Sequence, residues 1–430
     1  MKKARALSRA LLLSVLTLAA TGCGGADSTP TTAPVAAATA TSIVASAPTA
    51  TTEVAAPTAT KAPAANSKPF KVLMVQDLSG ALSSIGKAEV QGMKASAEVI
   101  NAQGGILGRM VQVDAVDDQA DATKAVSLLT ERITNGDIPD MVQGGTGSSE
   151  TLAMLPIMTK NKILYVGQNG GSAINDPAKY PYAFSINVPE TVSVNVVTQF
   201  LKDHNYKKIG VMQSNSASGQ SEMKAFEKVL PGAGITWSVQ TFDPTSLDMT
   251  PQLEALKADN PDALVTVTAF GRGALTLLSG RQKIGWDVPV VGDIALSAQN
   301  LAGSLGLEAL NGVNHSVFMV QKYVDTDKRS AAFNTFFEAL KKQGPITASL
   351  NVYSFSYDEL QVLNEAAKQA QSTDHDALAK AMESLQTPSP APWVTFQHVI
   401  FSPTNHFNAV SPSEAQVIVQ AGPIEEGMFK

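Results

Sequence analysis

Two stretches of the chain carry residues whose types and spacing could do chemistry. In "DMVQGGTGSSET" an apolar run ends in Gly145-Thr146-Gly147-Ser148, ahead of a helix expected to begin near Ser149. Free N–H groups at a helix start, joined by a serine hydroxyl, make a site for a carboxylate or carbonyl oxygen. The same residues have a plainer use, since Ser148 or Ser149 can cap the helix with Glu150 or Thr151 in support. The second stretch is Asp117-Asp118, a carboxylate pair of the kind used in acid–base work. Neighbouring strand residues face opposite sides of a sheet, so one of the two is expected to cap the next helix instead. His204, His315, His375, His398 and His406 show no metal-ligand spacing and read as surface or internally satisfied polar residues. The G-x-G-x-x-G, Walker A, H-E-x-x-H and G-x-S-x-G signatures are all missing, so the sequence argues against an enzyme and implies no cofactor.

The elements that must position these residues follow from composition and periodicity. The chain has 430 residues, 44% hydrophobic and 16% charged, with a formal charge of −6. That balance fits a folded protein, and the absence of a basic run argues against nucleic acid as a partner. The single cysteine, Cys23, excludes a disulfide framework. Lys2, Lys3, Arg5 and Arg9 precede an apolar segment, Leu11–Ala20, which is too short to span a bilayer. Ala20-Thr21-Gly22 before Cys23 resembles a bacterial lipobox, with Ala20 where leucine is usual. Residues 1–22 are therefore expected to be a cleaved signal peptide and Cys23 a lipid-modified membrane anchor. Residues 23–68 are expected to form a disordered linker rich in Ala, Thr and Pro, with an r.m.s. span of roughly 35–40 Å.

Beyond the linker, strand and helix alternate. Lys71–Leu78 reads as a buried strand, and about Lys87 to Ala102 as a helix with Val90, Met93, Ala97 and Ile100 on one face. "MVQVDAVDD" is the next strand and Ala122–Thr134 the next helix. "DMVQGG", "KILYVGQ", "KIGVMQS", "DALVTVTA" and "VPVVGDI" are further strands, and Thr326 to Ser384 reads as mostly helical. Continuous apolar strands alternating with helices imply an α/β fold with parallel sheets covered on both faces. A single core rarely exceeds about 250–300 residues, so the folded part is expected to form two lobes.

One family matches this frame in detail. Ser79-Gly80 after the first strand, Gly86 and Gly92 on its helix, the block "INAQGGILGR" and the later "DDQAD" stand in register. With "GWDVPVVGD" further on, they resemble the branched-chain amino-acid and amide-binding proteins of ABC transporters, over about Lys71 to Gly422. The resemblance implies a type I periplasmic binding fold, in which two Rossmann-like lobes joined by three hinge crossovers close on a ligand. The crossovers are placed near Val188, Val317 and Ser411. Lobe one is then 69–188 with 318–410, and lobe two is 189–317 with 411–430.

Carried over residue by residue, the resemblance gives Ser148, with Gly147 and Thr146, the role of oxygen binder. Asn169, Gly171 and Ser172 follow the next strand, where the family often has threonine at the position of Gly171. In lobe two, Ser218-Gly219 replaces a pair that commonly brings an aromatic wall. Phe270 fits either an aromatic cleft position or core packing. The family's amino-acid binders hold an ammonium group with a carboxylate where the ungapped alignment puts Ile294, one residue after Asp293. Ile85 offers an apolar wall. The implied role is capture of a small polar ligand (amino acid, amide or small organic acid) by a monomer that delivers it to a permease and ATPase complex. The alternative is a lipoprotein that presents its closed form to a sensor kinase or chemoreceptor.

Overall fold

Strand β1 (Phe70–Gln76) is apolar enough to be covered on both faces, and it lies between β2 (Val111–Asp117) and β3 (Met141–Gly144). The computed structural model describes residues 68–169, 171–411 and 415–429. The expected signal peptide, Cys23 and all of the linker except Lys68 lie outside these residues. With β4 (Leu164–Gly167) and β5 (Ala183–Ser185), the first sheet runs β2-β1-β3-β4-β5, all parallel. Three helices connect it: α1 (Ser83–Ala102), α2 (Ala122–Thr134) and α3 (Ser148–Lys160).

After β5 the chain builds a second sheet. Helix α4 (Glu190–Asp203) leads into β6 (Lys208–Ser214), followed by α5 (Ala217–Val229) and β7 (Thr236–Phe242). Then come α6 (Thr250–Ala258), β8 (Ala263–Val267), α7 (Gly271–Lys283), β9 (Val290–Gly292), the short α8 (Leu301–Leu305) and β10 (Val313–Phe318). Helices α9 (Ala331–Lys342), α10 (Leu350–Ala370) and α11 (His375–Met382) return to the first sheet, where α10 lies along α1. Strand β11 (Gln416–Gln420) rejoins the second sheet, pairing antiparallel with β10, and gives the order β11-β10-β9-β8-β6-β7. A last pair, β12 (Ile424–Glu425) and β13 (Met428–Phe429), returns beside α10, where Gly427 O accepts from Leu350 N at 2.7 Å. The fold is thus two α/β lobes with parallel sheets.

Local chemistry sets the loops at the strand ends. Helix α1 starts at Ser83, four residues before the periodicity suggests, because the Asp77 carboxylate collects the N–H groups of Ser79, Gly80 and Leu82 and folds the chain early. Asp121 accepts from Thr123 N and Lys124 N and so caps α2, the role expected of Asp117 or Asp118. Asp117 instead accepts from Leu78 N and the Ser79 hydroxyl, and Asp118 accepts from Ala120 N. An acid three or four residues further along reaches the open helix amides, whereas one at the strand end is claimed by the neighbouring loop. The "INAQGGILGR" block is structural. Asn101 pairs with both backbone groups of Val111, and Arg109 bridges to Asp140 at 2.7 Å.

Candidate functional site

The carboxyl ends of both sheets converge on one cavity, the place where open α/β sheets bind ligands. From lobe one it is lined by Ile85, Thr146, Gly147, Ser148 and Asn169, and from lobe two by Ser218, Phe270 and Asp293. Its volume is about 120 Å³. A cavity of about 150 Å³ holds benzene, so the space suits a small molecule.

Thr146 is fixed between strand ends, donating to Gln76 Oε1 at 2.6 Å and accepting from Asp77 N at 3.0 Å. Gly145, before it, has φ +78°, and a Cβ there would stand 2.6 Å from Gly147 O, so the turn into α3 requires glycine. Asn169 spends its amide on Gly145 O, Thr151 Oγ1 and Tyr165 Oη. Its Oδ1 accepts from the Ser148 hydroxyl at 3.3 Å. Neither Ser148 nor Ser149 caps α3, whose N-cap is Gly147 without a side-chain bond. The Ser148 hydroxyl reaches lobe two, 3.1 Å from Ser218 Oγ.

Glu150 turns its carboxyl back over this first turn, so that a Cβ on Gly147 would meet Glu150 Oε2 at 2.5 Å. Burial raises its pKa, and the backbone N–H groups of Glu150 and Gly147 act against that rise. The helix start expected to receive a ligand oxygen already has an acid of the chain beside it.

Gly171 and Ser172 do not line the cavity. After β4 the chain turns through a short 3-10 helix, Ser172–Ile174, which carries Ser172 to the outer seam between the lobes. There its hydroxyl lies 2.7 Å from Ser221 Oγ of α5, and Ser221 donates to Glu190 Oε2 at 2.8 Å. Gly171 lies close behind the site, and a Cβ on it would stand 3.6 Å from the Ser148 hydroxyl. Further seam contacts are Ala217 N to Ser149 Oγ at 3.4 Å and, on the opposite lip, Arg272 N to Ala81 O at 3.4 Å. The lobes therefore meet directly across the cleft.

Asp293 and Ile294 both line the cavity. Asp293 is 2% exposed, and its Oδ2 accepts from Thr268 N at 2.7 Å. Beside it lies Glu222, which the sequence reading missed. Its Oε2 accepts from the Thr268 hydroxyl at 3.0 Å. Burial raises the pKa of both acids, and the neighbouring Asp293 raises Glu222 further. Glu89 and Glu190 complete the acidic lining. Burial lifts Glu89 well above the carboxylate range against a hydrogen bond from Gln168, and lifts Glu190 to about 7 against the Ser221 hydroxyl and the Ser172 N–H. A group whose folded pKa is raised stabilises the fold below its unfolded pKa and loses that contribution as pH climbs through the folded value. Glu190→Gln should therefore melt close to the wild type near pH 4.5. By pH 7.5 it should be the more stable protein, by on the order of 2–3 kcal/mol. Parallel melting curves over that range would refute the assignment.

Among the described residues no group of three or more His, Cys, Asp or Glu side chains is arranged to hold a metal ion, and no helix is long and apolar enough to cross a membrane. Two α/β lobes enclosing a cavity at their strand ends, with carboxyl and hydroxyl groups set among apolar walls, define a two-lobed ligand receptor. The profile of the periplasmic binding protein family matches residues 69–417, and the chain belongs to that family. It is 24% identical over 341 residues to Leu/Ile/Val-binding protein homolog 7 of Brucella melitensis, covering 75% of this chain and 82% of that protein. The type 1 periplasmic binding protein of Bordetella pertussis Tohama I superposes with a TM-score of 0.72 at 20% identity, over 82% of this chain and 96% of that one. A solute-binding protein of an ABC transporter from Rhodopseudomonas palustris BisB5, in complex with 3,4-dihydroxybenzoic acid, gives a TM-score of 0.66 at 20% identity, over 83% and 98%.

Proposed function

We propose that the chain is the extracytoplasmic solute-binding component of an ABC importer, which captures a small polar ligand by closure of its lobes and delivers it to a membrane permease and ATPase. The observation that carries this reading is the cavity itself, enclosed by both lobes and shut by direct contacts at its lips. The likeness to a Leu/Ile/Val-binding protein homolog supports an organic solute of amino-acid or amide size. Ser148, Ser218, Ile85, Phe270 and Asp293 are assigned to ligand contact, with hinges near Val188, Val317 and Ser411. A ligand that touches both lobes favours the closed state through contacts absent from the open one. Small-angle scattering should show a smaller radius of gyration once a binding compound is added. An unchanged radius at saturation would overturn the closure mechanism. Attachment through a lipid on Cys23 belongs to the same reading, and Cys23→Ser should move the protein out of the membrane fraction. A variant that stays membrane-bound would exclude the anchor.

A further inference from the structure

The following inference rests on reading the cleft as a ligand site and concerns what the ligand is. Four carboxyls line the cavity, Glu89, Glu190, Glu222 and Asp293, with no lysine, arginine or histidine among the described lining residues. Glu89 Oε2 and Glu190 Oε1 are buried with no close protein donor, and Glu222 and Asp293 are hydrogen-bonded to each other, carboxyl to carboxyl. Glu222 and Asp293 are 4% and 2% exposed. Thr268 satisfies one oxygen of each and leaves the other. Buried acids in this condition are stabilised by holding a proton or by a partner that brings positive charge or N–H donors. At the lobe-one end, the Glu150 carboxyl beside Gly147 disfavours a ligand carboxylate at the start of α3. Ile85, Phe270 and Ile294 add apolar walls for a short carbon skeleton.

We propose that the cleft selects a small organic cation, an amine or amidine whose charged nitrogen lies against Glu222, Asp293 and Glu190 and whose other end is neutral, over zwitterionic amino acids and organic acids. The raised pKa values of Glu190 and Glu222 have the direction expected of buried acids with no cation beside them.

The test is calorimetry at pH 7.5 with four compounds of one skeleton: valinamide, valine, 3-methylbutanamide and 3-methylbutanoate. Two further monocations, butylamine and benzamidine, extend the panel. At least one cation should bind tenfold or more tighter than valine and 3-methylbutanoate. Glu222→Gln and Asp293→Asn should each weaken that cation at least tenfold while leaving the melting transition cooperative. Tighter binding of valine or 3-methylbutanoate than of every cation would overturn the proposal and leave the solute-binding reading standing. Failure of all three cations to bind would also overturn it, as would unchanged cation affinity in both variants. The solute-binding reading itself falls only with the scattering test.

Discussion

Oxidation of a Ser172→Cys/Ser221→Cys pair, in a chain whose only other cysteine is removed by Cys23→Ser, will lock the lobes shut and slow ligand exchange by roughly two orders of magnitude or more. The two hydroxyl oxygens lie 2.7 Å apart, one on each lobe, so cysteines at these positions meet with little rearrangement. Neither residue lines the cavity, but the Ser221 hydroxyl donates to the lining Glu190, so the Ser221→Cys single variant is the reference that separates the effect of the cross-link from that of the lost hydroxyl. Stopped-flow release of a bound compound, measured oxidised and then after reduction, reads the effect directly. The reduced protein should exchange like that single variant. Equal release from the oxidised form would mean that the ligand leaves without the lobes parting.

Gly92→Ala is expected to give the largest loss of stability. A Cβ on Gly92 would stand 2.1 Å from Tyr353 O and 2.9 Å from its carbonyl carbon. Both are backbone atoms of α10, so no side chain can swing aside. The same seam continues at Ser96, whose hydroxyl donates to Tyr357 O at 2.8 Å and accepts from Gln361 Nε2 at 3.1 Å. Forcing the helices apart costs about 1–3 kcal/mol or somewhat more, and should lower the melting temperature by roughly 5–10 °C. Gly232→Ala, where a Cβ meets nothing within 4 Å, is the control and should melt near the wild type. If the two variants melt alike, the close approach of α1 and α10 is wrong.

The strands that form the centre of each sheet were legible because burial on both faces leaves a continuous apolar run, as in β1 and β8. Strand β7 escaped because it lies at the sheet edge, and its sequence, TWSVQTF, alternates with no apolar run. Ser148, Ser218 and Phe270 could be placed because each follows a strand end in register with a known family, and Asp293 because it stands one residue before the position where that family carries a carboxylate. The acids were harder, since a single glutamate in a helix reads as a solvated face. A signal was nevertheless present. Ile85, Glu89 and Met93 lie four residues apart on one buried face of α1, and Ser218, Glu222 and Phe226 do the same on α5. An acid in the middle of an apolar stripe must be neutral, paired or turned toward a ligand. Glu190 offered less, because an acid in the first turn of α4 is what the helix dipole alone would favour. Ser172 was misplaced because the turn after β4 depends on backbone torsions that residue types do not reveal.

The lips of the cleft are held by serine hydroxyls and backbone groups: Ser148 with Ser218, Ser172 with Ser221, Ser149 with Ala217, and Ala81 with Arg272. None of these lip contacts is an ion pair; Arg329–Glu426, at 2.7 Å, ties the C-terminal segment to the start of α9 instead. Dissolved salt screens attraction between charges and leaves neutral hydroxyl contacts almost untouched. Each of these contacts is also matched nearly one for one by a bond to water when the cleft gapes. These lip contacts are therefore weak and insensitive to ionic strength, so under the proposed closure mechanism they would let the cleft open alike in dilute or brackish surroundings.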